Sequence, residues 1–404
     1  MKSLIISAII FVLIGSMGCS STKVYKLMGG GEIAEPNYKV VIPFEMRLGL
    51  IILKVNIKGE EYDFLYDTGA PNVVSLELGE KLNLKAAGKS KTRDSQGERH
   101  RVDYANIDTI SIGGLNYLNT TAAIMDLKKA VVLDCMEFDG ILGANVMRNS
   151  VWQIDYQKQE IIITNSTDSL LFTSNLDTIP FTVKHTGTPI IDVKIGNIIQ
   201  KRVTLDTGSG GNIDLNYETY KNARKRQPNM PITSGYGHSS SGIYGMGVPD
   251  TLFYFKPDSI TIGSVQLENK IITASKGNTS STLGTRFFEH YVITLDWGRN
   301  QIVLDSVSEY QNTEVKSYGY KPQFENNQLR VGFLFTESTT GSQNMSLYDQ
   351  IIQIDSNDYS NITRSEYCEL ILDTNKSDLE EKLYKIIHKD SVRSIILKKE
   401  VMLK

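Results

Sequence analysis

Two short stretches carry residue types that could do chemistry together: Asp67-Thr68-Gly69-Ala70 and Asp206-Thr207-Gly208-Ser209, whose aspartates lie 139 residues apart. Each follows an apolar, strand-like approach, Tyr62-Asp63-Phe64-Leu65-Tyr66 in one case and Val203-Thr204-Leu205 in the other. An aspartate at the end of a strand is held by the sheet behind it. The threonine after it can hydrogen-bond within the turn, and the glycine lets another backbone come close. Two such carboxylates brought into contact cannot both ionise cheaply, so they hold one proton between them. The ionised partner can then take a proton from a bound water while the protonated partner donates to a carbonyl oxygen under attack. This chemistry calls for no metal, cofactor, histidine or covalent nucleophile, and none is expected here.

The elements around the two motifs repeat as well. Ile141-Leu142-Gly143 recurs as Thr282-Leu283-Gly284, and Val55-Asn56-Ile57 as Val193-Lys194-Ile195. Ile110-Ser111-Ile112-Gly113 matches Ile260-Thr261-Ile262-Gly263, and Trp152-Gln153-Ile154-Asp155 matches Ile293-Thr294-Leu295-Asp296. The order is the same in both copies, which indicates a duplicated unit over Tyr38–Asn165 and Leu176–Val307. Apolar and polar residues alternate along Leu53–Lys58 and Ile191–Ile195, as in half-buried strands. Long amphipathic helices are not expected in either copy. Short helices are expected at Asn145–Asn149 and Arg286–His290. Trp152 and Trp297 are read as core residues.

On these motifs the chain resembles aspartic proteases of the pepsin and retropepsin type. The resemblance implies a mainly β fold with two tandem retropepsin-like β-barrel lobes related by a pseudo-two-fold, placed at 38–170 and 171–312. It makes Asp67 and Asp206 the catalytic dyad. Thr68 and Thr207 would lock the lobes together, and Gly69 and Gly208 would let substrate pass close by. Leu142-Gly143 and Leu283-Gly284 would cross behind the catalytic turns. Such enzymes close a hairpin over the substrate. Two segments fit that part, Asp94–Arg99 and the glycine- and serine-rich Gly235–Gly245, where glycine is read as a source of mobility. His238, within the second, is read as a solvated loop histidine.

Composition narrows the alternatives. The chain has 404 residues and a formal net charge of −3, so no basic field draws it to nucleic acid. Three cysteines exclude a disulfide-stapled scaffold, and five histidines with no H-E-x-x-H pair argue against a zinc hydrolase. Lys2, the apolar run Leu4–Ile14 and the small residues up to Cys19 form a secretory signal. Gly18-Cys19-Ser20-Ser21 resembles a bacterial lipoprotein cleavage box, which implies a lipidated Cys19, a membrane anchor and a cell-envelope location, with the outer membrane favoured. Residues 20–37 are read as a tether. Cys135 and Cys368 fall in different expected domains and are read as unbridged buried thiols.

Residues 313–404 follow a different pattern. Leu329–Phe335 and Ile351–Ile354 read as strands, Thr363–Leu372 as a helix capped by Thr363 with Glu366 three residues on, Ser377–His388 as a second helix, and Val392–Leu397 as a closing strand. Tyr348–Asp355 is similar to a segment of PDZ domains, which implies either peptide binding by strand addition or a structural cap. The leading expectation is an envelope-anchored endopeptidase acting on peptides or proteins. The alternative is a non-catalytic peptide-binding lipoprotein that uses the cleft and the PDZ-like unit as binding modules.

Overall fold

A computed structural model describes residues 19–93, 99–174, 176–278, 280–342, 345–373 and 379–404. The signal segment up to Gly18 and the tip Asp94–Glu98 of the first expected flap lie outside the described residues. The chain is mainly β. In the first half, strands Leu50–Ile57 and Glu60–Asp67 form a hairpin with Leu53 opposite Phe64 and Val55 opposite Tyr62. The turn uses Lys58 and Gly59, both at positive φ, which the twist of a two-residue hairpin requires. Alternate residues of Leu50–Ile57 serve two apolar clusters. Ile51, Leu53, Val55 and Ile57 join the larger one, whereas Leu50 and Ile52 join the smaller.

The strand Gly140–Gly143 inserts beside the end of that hairpin, parallel to Phe64–Asp67 and antiparallel to Val73–Val74. The second half repeats this wiring. Pro189–Ile195 pairs with Ile198–Leu205, and Thr282–Leu283 lies parallel to Thr204–Leu205 and antiparallel to Ile213–Asp214. A six-stranded sheet joins the halves. At its centre Val151–Asp155 pairs antiparallel with Tyr291–Asp296, with Gln153 opposite Thr294 and its amide donating to the Thr294 hydroxyl at 3.1 Å. These two residues are counterparts in the repeat, so the relation between the copies passes between them. The larger apolar cluster spans both halves and includes both tryptophans. Trp152 donates to the Met147 carbonyl and Trp297 to the Gly187 carbonyl, so each indole is satisfied inside the core.

Helices Ala144–Met147 and Thr285–Phe288 follow the inserted strands, close to the expected positions. The second half also contains a ten-residue helix, Tyr217–Arg226, that the sequence reading missed. Asn216 caps it by accepting from the Thr219 N–H, and Tyr220 and Ala223 turn inward.

The expected tether is instead part of the fold. Cys19–Met28 is a helix whose Val24 and Met28 are buried in the smaller cluster. Thr121 donates to the Leu27 carbonyl, Arg148 to the Met28 carbonyl, and Tyr25 stacks on His185 of the second half. Two or three apolar side chains on a short helix give too weak a signal in sequence, but they suffice once a sheet offers them a surface.

The C-terminal unit keeps the expected strands as Gln328–Phe335, Gln350–Ile354 and Ser391–Lys398. The helix Arg364–Leu372 carries the full capping box between Thr363 and Glu366. The second expected helix is wrong where it is described: Glu381–His388 is a strand, hairpinned to Ser391–Lys398 through Lys389 and Asp390 at positive φ. Its Tyr384, Ile386 and His388 point inward at a period of two, and that alternation outweighs the helix-favouring Glu and Lys. Residues 374–378 of that expectation lie outside the described residues.

The separate thiols are also corrected. Cys135 and Cys368 form a disulfide across 233 residues, with Cα atoms 5.0 Å apart. It ties helix Val131–Cys135 of the first half to helix Arg364–Leu372, and Arg364 reinforces the contact by an ion pair to Asp134 at 2.8 Å. On its other side the unit extends the second half's sheet, with Gly235–Gly237 paired to Phe333–Phe335. At Gly235 and Gly237 the lack of a side chain permits close packing. A Cβ on Gly235 would lie 2.3 Å from the Phe333 ring, and one on Gly237 would lie 2.2 Å from the Gly332 carbonyl oxygen. Within the stretch His238 is part-buried and tied down, its backbone donating to the Gly332 carbonyl and its ring bonded to the Gly247 carbonyl.

Candidate active site

Asp67 is the last residue of the strand Glu60–Asp67, and Asp206 directly follows Ile198–Leu205. Each turn folds back on its own carboxylate. The N–H groups of Gly69 and Ala70 donate to Asp67 Oδ1 at 2.7 and 3.1 Å, and that of Gly208 donates to Asp206 Oδ1 at 3.1 Å. The threonines then cross between the halves. The Thr68 N–H donates to Thr207 Oγ1 and the Thr207 N–H to Thr68 Oγ1, both at 3.1 Å. Thr68 Oγ1 donates to the Leu205 carbonyl at 2.7 Å and Thr207 Oγ1 to the Tyr66 carbonyl at 3.1 Å. Both threonines are buried, so losing either hydroxyl would strand polar groups away from water.

This double bridge sets the two aspartates face to face. Their carboxyl groups hydrogen-bond to one another. Each glycine lies against the opposite half's acid: a Cβ on Gly69 would meet Asp206 Cγ at 2.6 Å, and one on Gly208 would meet Asp67 Cγ at 2.2 Å. Behind the turns, Leu142 and Leu283 are buried. The N–H after each of Gly143 and Gly284 donates to the turn in front, Ala144 to the Ala70 carbonyl and Thr285 to the Ser209 carbonyl. A Cβ on Gly143 would lie 2.1 Å from the Pro71 carbonyl carbon, and one on Gly284 would lie 2.4 Å from the Gly211 oxygen. Only glycine fits at either crossing.

The electrostatics of the two acids differ. Burial, and after it the charge of Asp206, hold the Asp67 carboxyl well above the usual carboxylate range. Burial also raises Asp206, but the hydrogen bond from Asp67, the turn N–H groups and the nearby Lys184 ammonium oppose it. The two acids therefore titrate as a pair, which holds one shared proton beyond the usual carboxylate range.

Two charged residues near the pair were not anticipated. Lys184 donates to the Thr204 hydroxyl at 3.0 Å, and its own ammonium is lowered by desolvation. Asp214 sits in the strand Ile213–Asn216, between buried Ile213 and Leu215, where the first half has buried Val73. Burial raises its carboxyl to about 6, against the pull of Lys321 and with a further push from Asp206. A lone acid in an apolar strand is the signal that sequence reading could have used. The folded state holds the Asp214 proton more tightly than an unfolded chain, where an aspartate titrates near ~3.9. Its stabilising contribution is therefore complete below about pH 4 and is lost as pH rises through about 6. Asp214→Asn is expected to melt with the parent at pH 4 and to be more stable at pH 7.5, by up to about 3 kcal/mol. Thermal melts at the two pH values check this; an equal gap at both would refute it.

A family model described as aspartyl protease matches residues 53–146, which contain the first Asp-Thr-Gly turn and its Ile141-Leu142-Gly143 support. No curated protein matches the chain.

Proposed function

We propose that the chain is an aspartic endopeptidase built from two retropepsin-like lobes, with Asp67 and Asp206 as its catalytic dyad. The observation that carries this reading is the hydrogen-bonded pair of carboxyl groups on two equivalent turns, locked by reciprocal threonine bonds. The match of residues 53–146 to aspartyl proteases supports it from a separate direction.

In the proposed reaction Asp206, as carboxylate, takes a proton from a water held between the two acids. The water oxygen bonds to the peptide carbonyl carbon, and Asp67 gives its proton to the carbonyl oxygen. The resulting gem-diol collapses as one hydroxyl returns its proton to Asp67 and Asp206 passes its proton to the amine. The C–N bond breaks, and the dyad regains its single proton. The threonine bridge and the turn N–H groups hold both acids in place before substrate arrives, so little reorganisation accompanies the step.

The signal segment and Cys19 place this activity, in the same proposal, on a lipid anchor in the bacterial envelope, with peptides or proteins as substrates. The C-terminal unit acts as a brace. Both edges of its strand Gln328–Phe335 are already paired, one by Tyr320–Glu325 and the other by Gln350–Ile354 and Ile232–Gly237. That pairing leaves this strand no free edge for a peptide.

Activity on an internally quenched peptide is expected to follow a bell in pH whose limbs are both moved up from the ordinary aspartate range by burial of the two acids. It falls as pH rises and the pair loses its shared proton, and falls again at lower pH as the pair gains a second. A chelator should leave the rate unchanged. A kcat/KM that shows no loss on acidification, or that drops with chelator, would exclude the reading.

A further inference from the structure

The two halves differ along one row of residues. In the second half the row crosses the sheet from Thr204, which stands two positions before Asp206. Thr204 lies opposite Thr282, Thr282 opposite Asp214, Asp214 opposite Thr273, and Thr273 opposite Tyr254. Residues paired side by side in a sheet share a face. In the first half the same pairings join Leu65, Ile141, Val73, Ala123 and Tyr104. All five are buried in the smaller apolar cluster, with Val24 and Met28 of the helix Cys19–Met28. The duplicated unit therefore keeps the row's geometry and changes its chemistry: Thr204 replaces Leu65, Thr282 replaces Ile141, Asp214 replaces Val73 and Thr273 replaces Ala123.

The polar row also differs in exposure. Thr204 is buried, but Thr282, Asp214, Thr273 and Tyr254 are all part-exposed. A lysine closes each end: Lys184 donates to the Thr204 hydroxyl at 3.0 Å and Lys321 to the Tyr254 hydroxyl at 2.9 Å. Thr273 donates to Asp214 Oδ1. Among the described residues, Asp214 Oδ2 and the Thr282 hydroxyl, neighbours in register, make no hydrogen bond. An apolar group pressed on them would strip their water and return nothing. Charge narrows the fit further. Lys321, Arg286 and Asp206 all stand near enough to Asp214 to bias its ionisation, and Lys184 does the same to Asp206. A cationic side chain on the row would face Lys184, Lys321 and Arg286, and an anionic one would face Asp206 and Asp214.

We propose that this row receives a substrate side chain on the Asp206 side of the cleft, and that Thr282 and Asp214 select there a neutral hydrogen-bonding side chain, such as glutamine, over an apolar one. The claim rests on the peptidase reading and adds the substrate class. A glutamine amide donates to Asp214 Oδ2 and exchanges a hydrogen bond with the Thr282 hydroxyl. A leucine in its place leaves both groups unpaired, and a site built to hydrogen-bond rejects the analogue that cannot.

The test is direct binding, followed by fluorescence anisotropy, of labelled statine-type peptides that carry glutamine or leucine on one flank of the statine, and then on the other. The parent should bind the glutamine peptide about tenfold tighter than its leucine counterpart on one flank only, which is what one net hydrogen bond is worth. Thr282→Val removes the hydroxyl at constant shape and should erase most of that preference. Thr282→Val/Asp214→Val, which installs the first half's own valine at the second site, should turn it toward leucine. Both should keep the parent's circular dichroism spectrum. A parent that binds neither peptide, that binds leucine as well as glutamine on both flanks, or whose preference survives in both variants overturns the proposal. The two readings fail separately. A glutamine preference that depends on Thr282 and Asp214, without any peptide hydrolysis, sinks the peptidase and keeps the polar row as a binding site. Hydrolysis that depends on Asp67 and Asp206 while the row variants select like the parent does the reverse.

Discussion

Asp67→Asn and Asp206→Asn are each expected to reduce peptide hydrolysis by about 10²–10⁴-fold, the usual contribution of a positioned general acid or base. Asparagine keeps the Oδ1 oxygen that accepts the turn N–H bonds, so the local fold persists. It removes the group that gives or takes the proton. Because both acids are raised by burial, the variants should melt no lower than the parent at neutral pH. That separates a chemical loss from unfolding. Assays on a quenched peptide beside thermal melts check both halves of the expectation. Full activity in either variant would remove the dyad from the mechanism.

Loss of the Cys135–Cys368 bridge is expected to cost about 3–5 kcal/mol, through Cys368→Ser or by mild reduction. The bond closes 233 residues of chain, and a loop of that size gains much freedom in the unfolded state when released. Beside the disulfide, Arg364 pairs with Asp134 and donates to the Lys128 carbonyl, and Val131 packs against the C-terminal unit's apolar cluster. It meets the second half through the pairing of Gly235–Gly237 with Phe333–Phe335, the bond from Lys321 to the Tyr254 hydroxyl, and the ring contacts Tyr254–Phe335 and His238–Tyr348. Release should loosen the unit first where the bridge ties it to the first half. Limited proteolysis that cuts first between residues 307 and 320, together with a lowered melting temperature, would support the brace. A melting temperature unmoved by reductant would contradict it.

Where a feature depends on neighbours a few residues away, it was readable from the chain. The turn residues after Asp67 and Asp206, the alternation of Leu53, Val55 and Ile57 with Lys54 and Asn56, and the capping box of Thr363 with Glu366 all belong to this kind. Glu381–His388 was misread because Glu and Lys favour a helix locally, while a sheet partner at Ser391–Lys398 decides for the strand. Cys19–Met28 was misread because two buried side chains make a helix worthwhile only when a surface receives them.

The same division holds at the site. Sequence alone determined that two acids end two strands, each with a hydroxyl and a glycine behind it, because turn chemistry and strand period act within a few bonds. Only the tertiary structure decided that Thr68 and Thr207 exchange hydrogen bonds, that Asp214 and Lys184 stand near the pair, and that Cys135 meets Cys368. Those contacts join residues from 8 to more than 200 positions apart. They are set by which apolar faces bury one another most completely, a sum over the whole fold that no short window of sequence contains.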